Sequence, residues 1–540
     1  MKAQDDVQES EPLFSAELEG GEGPNGEEAE ATGLVHGDDG DSDGGYSLGS
    51  PKDNNHRETR FPPPKYLKST YASREAEFEL DPEVLFEGEE AELHGVPAMQ
   101  GLMGKAANRG SIEVRRDRRS SQESSSEGQE ELVVGGGQGS IFASVSNMSN
   151  SILGAGIIGL PYAVREAGFV TGILLLVILG AVTDWTIRLI VVNAKLTGQK
   201  SYTDIMESCF GFPGRALVSF FQFSFAFGGM CAFAVILGDT IPHVCIALLP
   251  GFADTRFGYF IFSRQFVVIV ATLSISYPLS LYRDIEKLSK ASALALVSMA
   301  IIVATVLIQG PNLPLELKGD RSYQFTILQS GVFEAVGVIS FAYVCHHNSL
   351  LIYGSLSTPT LDRWNTVTHI STGLSIVASL IMAVAGYSVF TDKTRGNILN
   401  NFSSDDFWAN LARLCFGLNM MTTTPLEAFV CREVFENFFF RDEPFDIRRH
   451  FIVTTLLIVT SMLVSLMTCD LGLVLEITGG SAATCLAFIF PAACSIKLSS
   501  EPYSRAKWPA WACAVFGVIV MVLATLLSII KSGSKPNKVC

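Results

Sequence analysis

Long apolar runs recur from about residue 140 to residue 530, separated by short polar segments. A bilayer hydrocarbon core about 30 Å thick is crossed by roughly 20 apolar helical residues. By that measure the pattern predicts spans at 140–163, 169–193, 214–248, 264–282, 289–309 and 327–347. Five more follow at 365–390, 407–430, 451–468, 472–497 and 508–530. The third allows a turn at Asp239-Thr240-Ile241-Pro242. The expected fold class is therefore all-α: a polytopic membrane protein with 11 transmembrane helices, whose odd number sends its two ends to opposite sides.

Residues 1–139 are a different polymer. They hold 13 Lys+Arg and 31 Asp+Glu, net −18, whereas 140–540 carries net +2. Rich in Glu, Asp, Gly and Ser and without apolar periodicity, the head is expected to be disordered and cytosolic. No apolar run begins near Met1, so no cleavable signal peptide is expected. The patch Arg115-Arg116-Asp117-Arg118-Arg119-Ser120-Ser121, followed by acidic residues around Ser124–Ser126, suits kinases or sorting factors as partners. A solvated basic linker is the plainer reading. The domain division is thus 1–139 head, 140–530 membrane domain and 531–540 short lumenal tail.

Lys and Arg favour cytosolic loops. With the head cytosolic, the loops on its side carry 14 basic residues and the opposite side 10. That orientation places the sequon Asn401-Phe402-Ser403 on the lumenal side, a glycosylation candidate in a short loop. All 11 cysteines lie between Cys209 and Cys540, most within apolar runs, and read as buried small hydrophobes. This composition excludes a secreted disulfide scaffold, a basic nucleic-acid binder and an ordinary soluble enzyme; no cofactor and no structural metal are expected.

The first span is the chemically informative one. Ser146-Asn147-Met148-Ser149-Asn150-Ser151-Ile152-Leu153-Gly154-Ala155-Gly156-Ile157-Ile158-Gly159-Leu160-Pro161 combines asparagines, serines, glycines and a proline. Glycines alone would serve close helix packing; the amides point instead to a helix broken at Gly154–Gly156. Freed N–H groups of Gly154, Ala155 and Gly156 would face a carboxylate, and oxygens around Asn150 a cation or a water. Five spans on, the sixth is again interrupted, from Gly331 to Ser340, and ends in His346-His347-Asn348. Spans 1–5 and 6–10 then form a 5+5 inverted-repeat core of the leucine-transporter type, with the eleventh added.

Residues 147–162 resemble the first helix of the amino acid/auxin permease family, which includes the sodium-coupled neutral amino acid transporters. The resemblance continues through Asp184-Trp185-Thr186, Gly238-Asp239-Thr240-Ile241-Pro242, Tyr277-Pro278-Leu279-Ser280, Cys345-His346-His347-Asn348 and Thr422-Thr423-Thr424-Pro425. It covers 140–530 and is strongest to fungal vacuolar amino acid transporters of the Avt type. It implies amino acid transport driven by an ion gradient. The helix 1 Asn and helix 8 Thr that serve the sodium site in sodium-coupled members fall on Asn150 and Thr423. Fungal vacuolar members are expected to use protons, and by resemblance the membrane is the vacuolar one.

Ionisable groups inside a membrane are functional suspects. Asp184 and Arg188, four apart, are expected to pair. Glu334, expected beside the broken segment of span six, is the proton-carrier candidate. Glu427 reads as gate, snorkelling acid or partner of Arg432, and Glu476 similarly. His346-His347, at the cytosolic end of span six, reads as an interfacial cluster or a pH-sensitive gate. Ser340, Phe341 and Tyr343 are expected to shape the substrate pocket. The leading function is a secondary active carrier of neutral amino acids working by alternating access. The alternatives are a sensor signalling through the head, a sodium-coupled plasma-membrane carrier, and an enzyme with Ser481 and His347.

Overall fold

The computed structural model describes residues 140–282, 292–441, 443–499 and 507–534. The acidic head with its serine and arginine patch, the basic loop residues Arg283, Lys287 and Lys290, and the last six residues lie outside them.

The first span is two helices, α1 (Ile141–Ile152) and α2 (Leu160–Ala167), joined by a 3-10 turn, Ala155–Gly159, and bent by 41°. After Gly168, whose φ of 90° suits only glycine, come α3 (Phe169–Thr197) and α4 (Tyr202–Leu248). Gly211, at φ 68° just before Pro213, sets a short arm apart from the long span in α4. The helix runs on through Pro242, so the turn allowed there does not form. Then come α5 (Arg264–Ala271), continued through a π-helical turn to Leu281, and α6 (Ser292–Gln309). The sixth span is α7 (Val332–Tyr343) and α8 (His346–Ser355). It is followed by α9 (Leu361–Phe390), α10 (Phe407–Phe439) and α11 (Ile447–Met467). The tenth is α12 (Leu471–Thr478), running through π-helical turns at Gly479–Ala483 and Cys485–Ile489 into α13 (Phe490–Leu498). α14 (Trp508–Ser534) is last, so Lys531 belongs to a helix rather than to a tail.

Among the described residues nine helices are long and apolar enough to cross a membrane, and the bent pair makes ten. The one expected span not among these ten is the eighth, α10, which has 33 residues, about 50 Å of helix. Asn410, Arg413, Asn419, Thr422, Thr423, Thr424 and Glu427 make it more polar than the others. α9 shows why these helices belong in lipid. Ile370, Leu374, Val377 and Ile381 form its exposed stripe, while Thr368, Ser371, Thr372, Ser375 and Ser379 face inward and are buried. Apolar side chains outside and small polar ones at the helix contacts are the inverse of a water-soluble bundle.

The helices form two groups. α1, α2, α3, α7, α8 and α9 pack on one another, and α4, α5, α10 and α11 form the second group. Each half of the chain thus gives its first two spans to one group and its next two to the other, as a five-plus-five repeat requires. A small core of Ala226, Met230, Ala428, Cys431, Leu457 and Ile458 belongs to the second group alone. α7 is the hub: Gly156 presses on Ala342, while Gly337 and Gly479 bring the backbones of α7 and α12 into direct contact. A Cβ at Gly479 would lie 1.8 Å from the Gly337 carbonyl oxygen.

Among the described residues seven cysteines are buried and Cys245 and Cys415 half-buried, all as free thiols, but Cys469 departs from the apolar reading because it is disulfide-bonded. Below, the near side is the one from which α1 starts and the far side the one where α2 ends.

Candidate functional site

At the first break α1 closes with the Leu153 N–H donating to Ser149 O at 2.8 Å. The next turn opens with the Ile157 N–H on Gly154 O at 3.4 Å. The N–H groups of Gly154, Ala155 and Gly156 therefore stand outside both hydrogen-bond ladders, as the first donors of any helix do. The three residues differ in surroundings. A Cβ on Gly154 would meet only Asn150 O and Ser151 O at 3.9 Å, ordinary contact with open space beyond. One on Gly156 would lie 2.5 Å from the Ala342 Cα, so Gly156 is a packing glycine rather than an open binding position.

The second break repeats the arrangement. The Val344 N–H donates to Ser340 O at 3.1 Å and the Asn348 N–H to Cys345 O at 3.0 Å, which leaves the N–H groups of Cys345, His346 and His347 between the ladders. The span continues to Ser355, so the two histidines sit in its middle and not at a membrane interface. Polar residues read as the end of a helix are instead its interruption. His346 is buried, with Nε2 2.9 Å from the Thr186 hydroxyl. The His347 ring lies 5.2 Å from that of Phe225, which in turn lies 5.4 Å from Phe341. The Asn348 amide donates to the Ser151 hydroxyl at 3.2 Å, joining the start of α8 to the end of α1.

Of the expected pocket residues, Ser340 is buried with its hydroxyl unpartnered and Phe341 faces Phe225. The Tyr343 ring packs beside Gly180 of α3. Glu334 lies in the first turn of α7, ten residues and about 15 Å from the break, rather than beside it. It is buried, and its Oε2 has no hydrogen-bond partner. Asn150 is half-buried in the last turn of α1. The Thr423 hydroxyl donates to Asn419 O at 2.8 Å, and no hydrogen bond joins it to Asn150. No group of three or more metal-ligating side chains occurs among the described residues.

From the near side a cavity of about 100 Å³ leads to the second break, lined by Gln222 of α4, His347 and Asn348 of α8, and Glu433 of α10. Lys200 and Arg441 line it too, and Arg441 reaches Glu207 at 3.3 Å and Asp204 at 3.7 Å.

The far side is tied together by polar contacts that periodicity does not reveal. Asp239 accepts from the Asn400 amide at 3.0 Å and the Asn397 amide at 3.3 Å, and lies 3.8 Å from Arg264. Arg264 itself donates to the Ser465 and Thr468 carbonyls. Arg413, fully buried, donates to the carbonyls of Leu399, Phe402 and Ser403. The Asn401 amide donates to Lys393 O at 2.9 Å while its oxygen accepts from the Arg395 N–H at 3.0 Å. The sequon side chain is therefore part of the loop's own hydrogen bonding.

Asp184 and Arg188 pair at 2.9 Å as their spacing predicts, and His369 joins them 3.0 Å from Asp184. Glu427 does not partner Arg432, which donates to Ser280 O and the Thr454 hydroxyl; the Glu427 Oε2 is unpartnered. Glu476 is not a lone acid: Tyr162 donates to it at 2.7 Å and Lys531 at 3.3 Å. Two interrupted helices, a cavity reached from the near side and polar ties across the far side suit a ligand held by backbone at mid-membrane and released to one side at a time.

Residues 137–530 match the family described as transmembrane amino acid transporter protein. Vacuolar amino acid transporter 2 of Saccharomyces cerevisiae is 40% identical over 71% of this chain and 82% of its own length. The putative sodium-coupled neutral amino acid transporter 11 of Danio rerio is 40% identical over 73% and 87%. Among solved structures, a manganese transporter of Eremococcus coleocola aligns with a TM-score of 0.45 at 12% identity, over 73% of this chain and 88% of that one. With transporters as relatives, the enzyme reading falls away: the chain is a multi-pass membrane protein belonging to the transmembrane amino acid transporter family.

Proposed function

We propose that this protein carries neutral amino acids across the vacuolar membrane by alternating access, driven by protons, with its acidic head in the cytosol. The observation that carries this reading is the pair of breaks. Six N–H groups, three at Gly154–Gly156 and three at Cys345–His347, stand outside the helix ladders next to the Ser151–Asn348 contact. Helix N-termini of this kind bind an anionic group such as a carboxylate, while the carbonyls at the ends of α1 and α7 suit an ammonium. The uncharged residues beside the breaks favour a neutral side chain. The yeast relative's vacuolar name and the excess of basic residues on the head side support the membrane and the orientation.

Sodium coupling is the second reading, supported by the names of the vertebrate relatives. It would use Asn150 and Thr423. Uptake of a labelled amino acid panel into proteoliposomes, under an imposed pH gradient and then a sodium gradient, separates the two. Stimulation by the pH gradient alone is expected. Stimulation by sodium alone, lost in Asn150→Ala and Thr423→Ala, overturns the proton reading. Binding without flux under either gradient overturns transport itself in favour of a sensor.

A further inference from the structure

The far end of the half-helix α2 carries a second cluster, apart from the two breaks. Lys531 of α14 donates to Glu166 Oε2 at 2.8 Å, to Glu476 Oε1 at 3.3 Å and to the Tyr162 hydroxyl at 3.3 Å. Tyr162 donates to the same Glu476 oxygen at 2.7 Å. Arg165 pairs with Glu166, donates to Thr394 O and covers the Tyr162 ring, its guanidinium carbon 4.6 Å from the centroid. Glu476 is 1% exposed. Three elements meet here: α2, which follows the first break; α12, which runs into the π-helical turn at Gly479; and α14, which stands outside the two repeats.

We propose that Lys531, Glu166 and Glu476 form a latch that holds α2 against α12 and α14 while the near-side cavity is open, and that protonation of its carboxylates from the far side releases it. Lys531 is a positioning residue: it touches no substrate and acts by fixing α2. The charges balance only while both carboxylates are ionised, two negative against Lys531 and Arg165. Adding a proton to either removes one attraction that holds Lys531. The groups facing the latch are Tyr162 and Arg165 on α2 and Asp470 at the start of α12, near the Tyr162 ring. From the start of α7, Gly331 lies against Glu166, with Glu334 one turn further on. Far-side protons are the driving species of the function proposed above, so the latch deepens that reading and rests on it for its role in coupling.

The test is hydrogen–deuterium exchange of residues 160–167 in the full-length protein in lipid nanodiscs across a pH series, corrected for the intrinsic pH dependence of exchange. In the wild type, protection of this segment is expected to fall as pH falls. Lys531→Met is expected to lose the protection at every pH and with it the pH dependence. Lys531→Arg, which keeps the charge, is expected to restore both, and this separates a latch from a folding defect. The doubly neutral Glu166→Gln, Glu476→Gln protein is expected to show a flat, unprotected profile. A wild-type pH profile in Lys531→Met, or a wild-type segment that ignores pH, overturns the latch. Proteoliposome uptake of the wild type reads the other question independently. Sodium-driven uptake with a pH-sensitive latch supports the latch and overturns proton coupling; proton-driven uptake with a pH-insensitive segment does the reverse.

Discussion

Ser151 and Asn348 hydrogen-bond at 3.2 Å, although 197 positions separate them in the chain. Each lies beside the interruption of its own span, so the bond sets the separation of the two sets of free N–H groups. Asn348→Ala is expected to raise KM for the amino acid several-fold while changing stability by only about 1 kcal/mol, the net worth of one such bond. Ser151→Ala should act in the same direction, and the double substitution should add little, because both remove one contact. Uptake kinetics and thermal unfolding in detergent measure the two effects separately.

The two glycines of the first break should fail differently. Gly156→Ala drives a methyl to 2.5 Å from the Ala342 Cα, so it is expected to destabilise the fold by about 1–3 kcal/mol and to lower the yield of folded protein. Gly154→Ala meets nothing closer than 3.9 Å. It should fold normally and lose substrate affinity, because its backbone faces the open side of the break. Size-exclusion profiles alongside ligand-induced thermal shifts distinguish the outcomes.

Asp239→Ala leaves Arg264 without its carboxylate and two asparagine amides without their acceptor. Removing one member of a buried charged pair costs about 3 kcal/mol or more. A corresponding fall in unfolding temperature is expected, with Asp239→Asn intermediate, since the amide oxygen still accepts one bond. Thermal unfolding followed by fluorescence checks both variants.

Asn401 is expected to stay unmodified despite its sequon. Its amide nitrogen, the atom a glycan would take, holds Lys393 O, and its oxygen holds the Arg395 N–H. Glycosidase treatment and Asn401→Gln should leave electrophoretic mobility unchanged when the protein is expressed in a eukaryotic host.

The spans and the first break were legible because their signals are local: apolar runs of membrane length, and Asn, Ser, Gly and Pro crowded into sixteen residues. The second break was legible as a polar interruption but misplaced. In the sequence His346-His347-Asn348 reads as the end of a helix, whereas Leu350, Leu351 and Ile352 carry the span onward. The same local signal places Glu334 beside the break, whereas it lies in the first turn of α7. The far-side clusters were not legible at all, since Asp239, Arg264, Asn397 and Asn400 come from three distant segments. Lys531, Glu166 and Glu476 likewise have no spacing that announces them. Nor does sequence distinguish Gly154 from Gly156: whether a glycine faces space or a neighbouring backbone is decided by the partner helix.

The contact between Gly337 and Gly479 has a mechanical consequence. Where two helices touch backbone to backbone there are no side chains to change rotamer, so turning one about the other there disturbs the least packing. The π-helical turn that begins at Gly479 adds slack on one side of the contact. A rocking of α7 against α12 would therefore have its fulcrum at these two residues, with the breaks on one arm of the lever and the Lys531 cluster on the other.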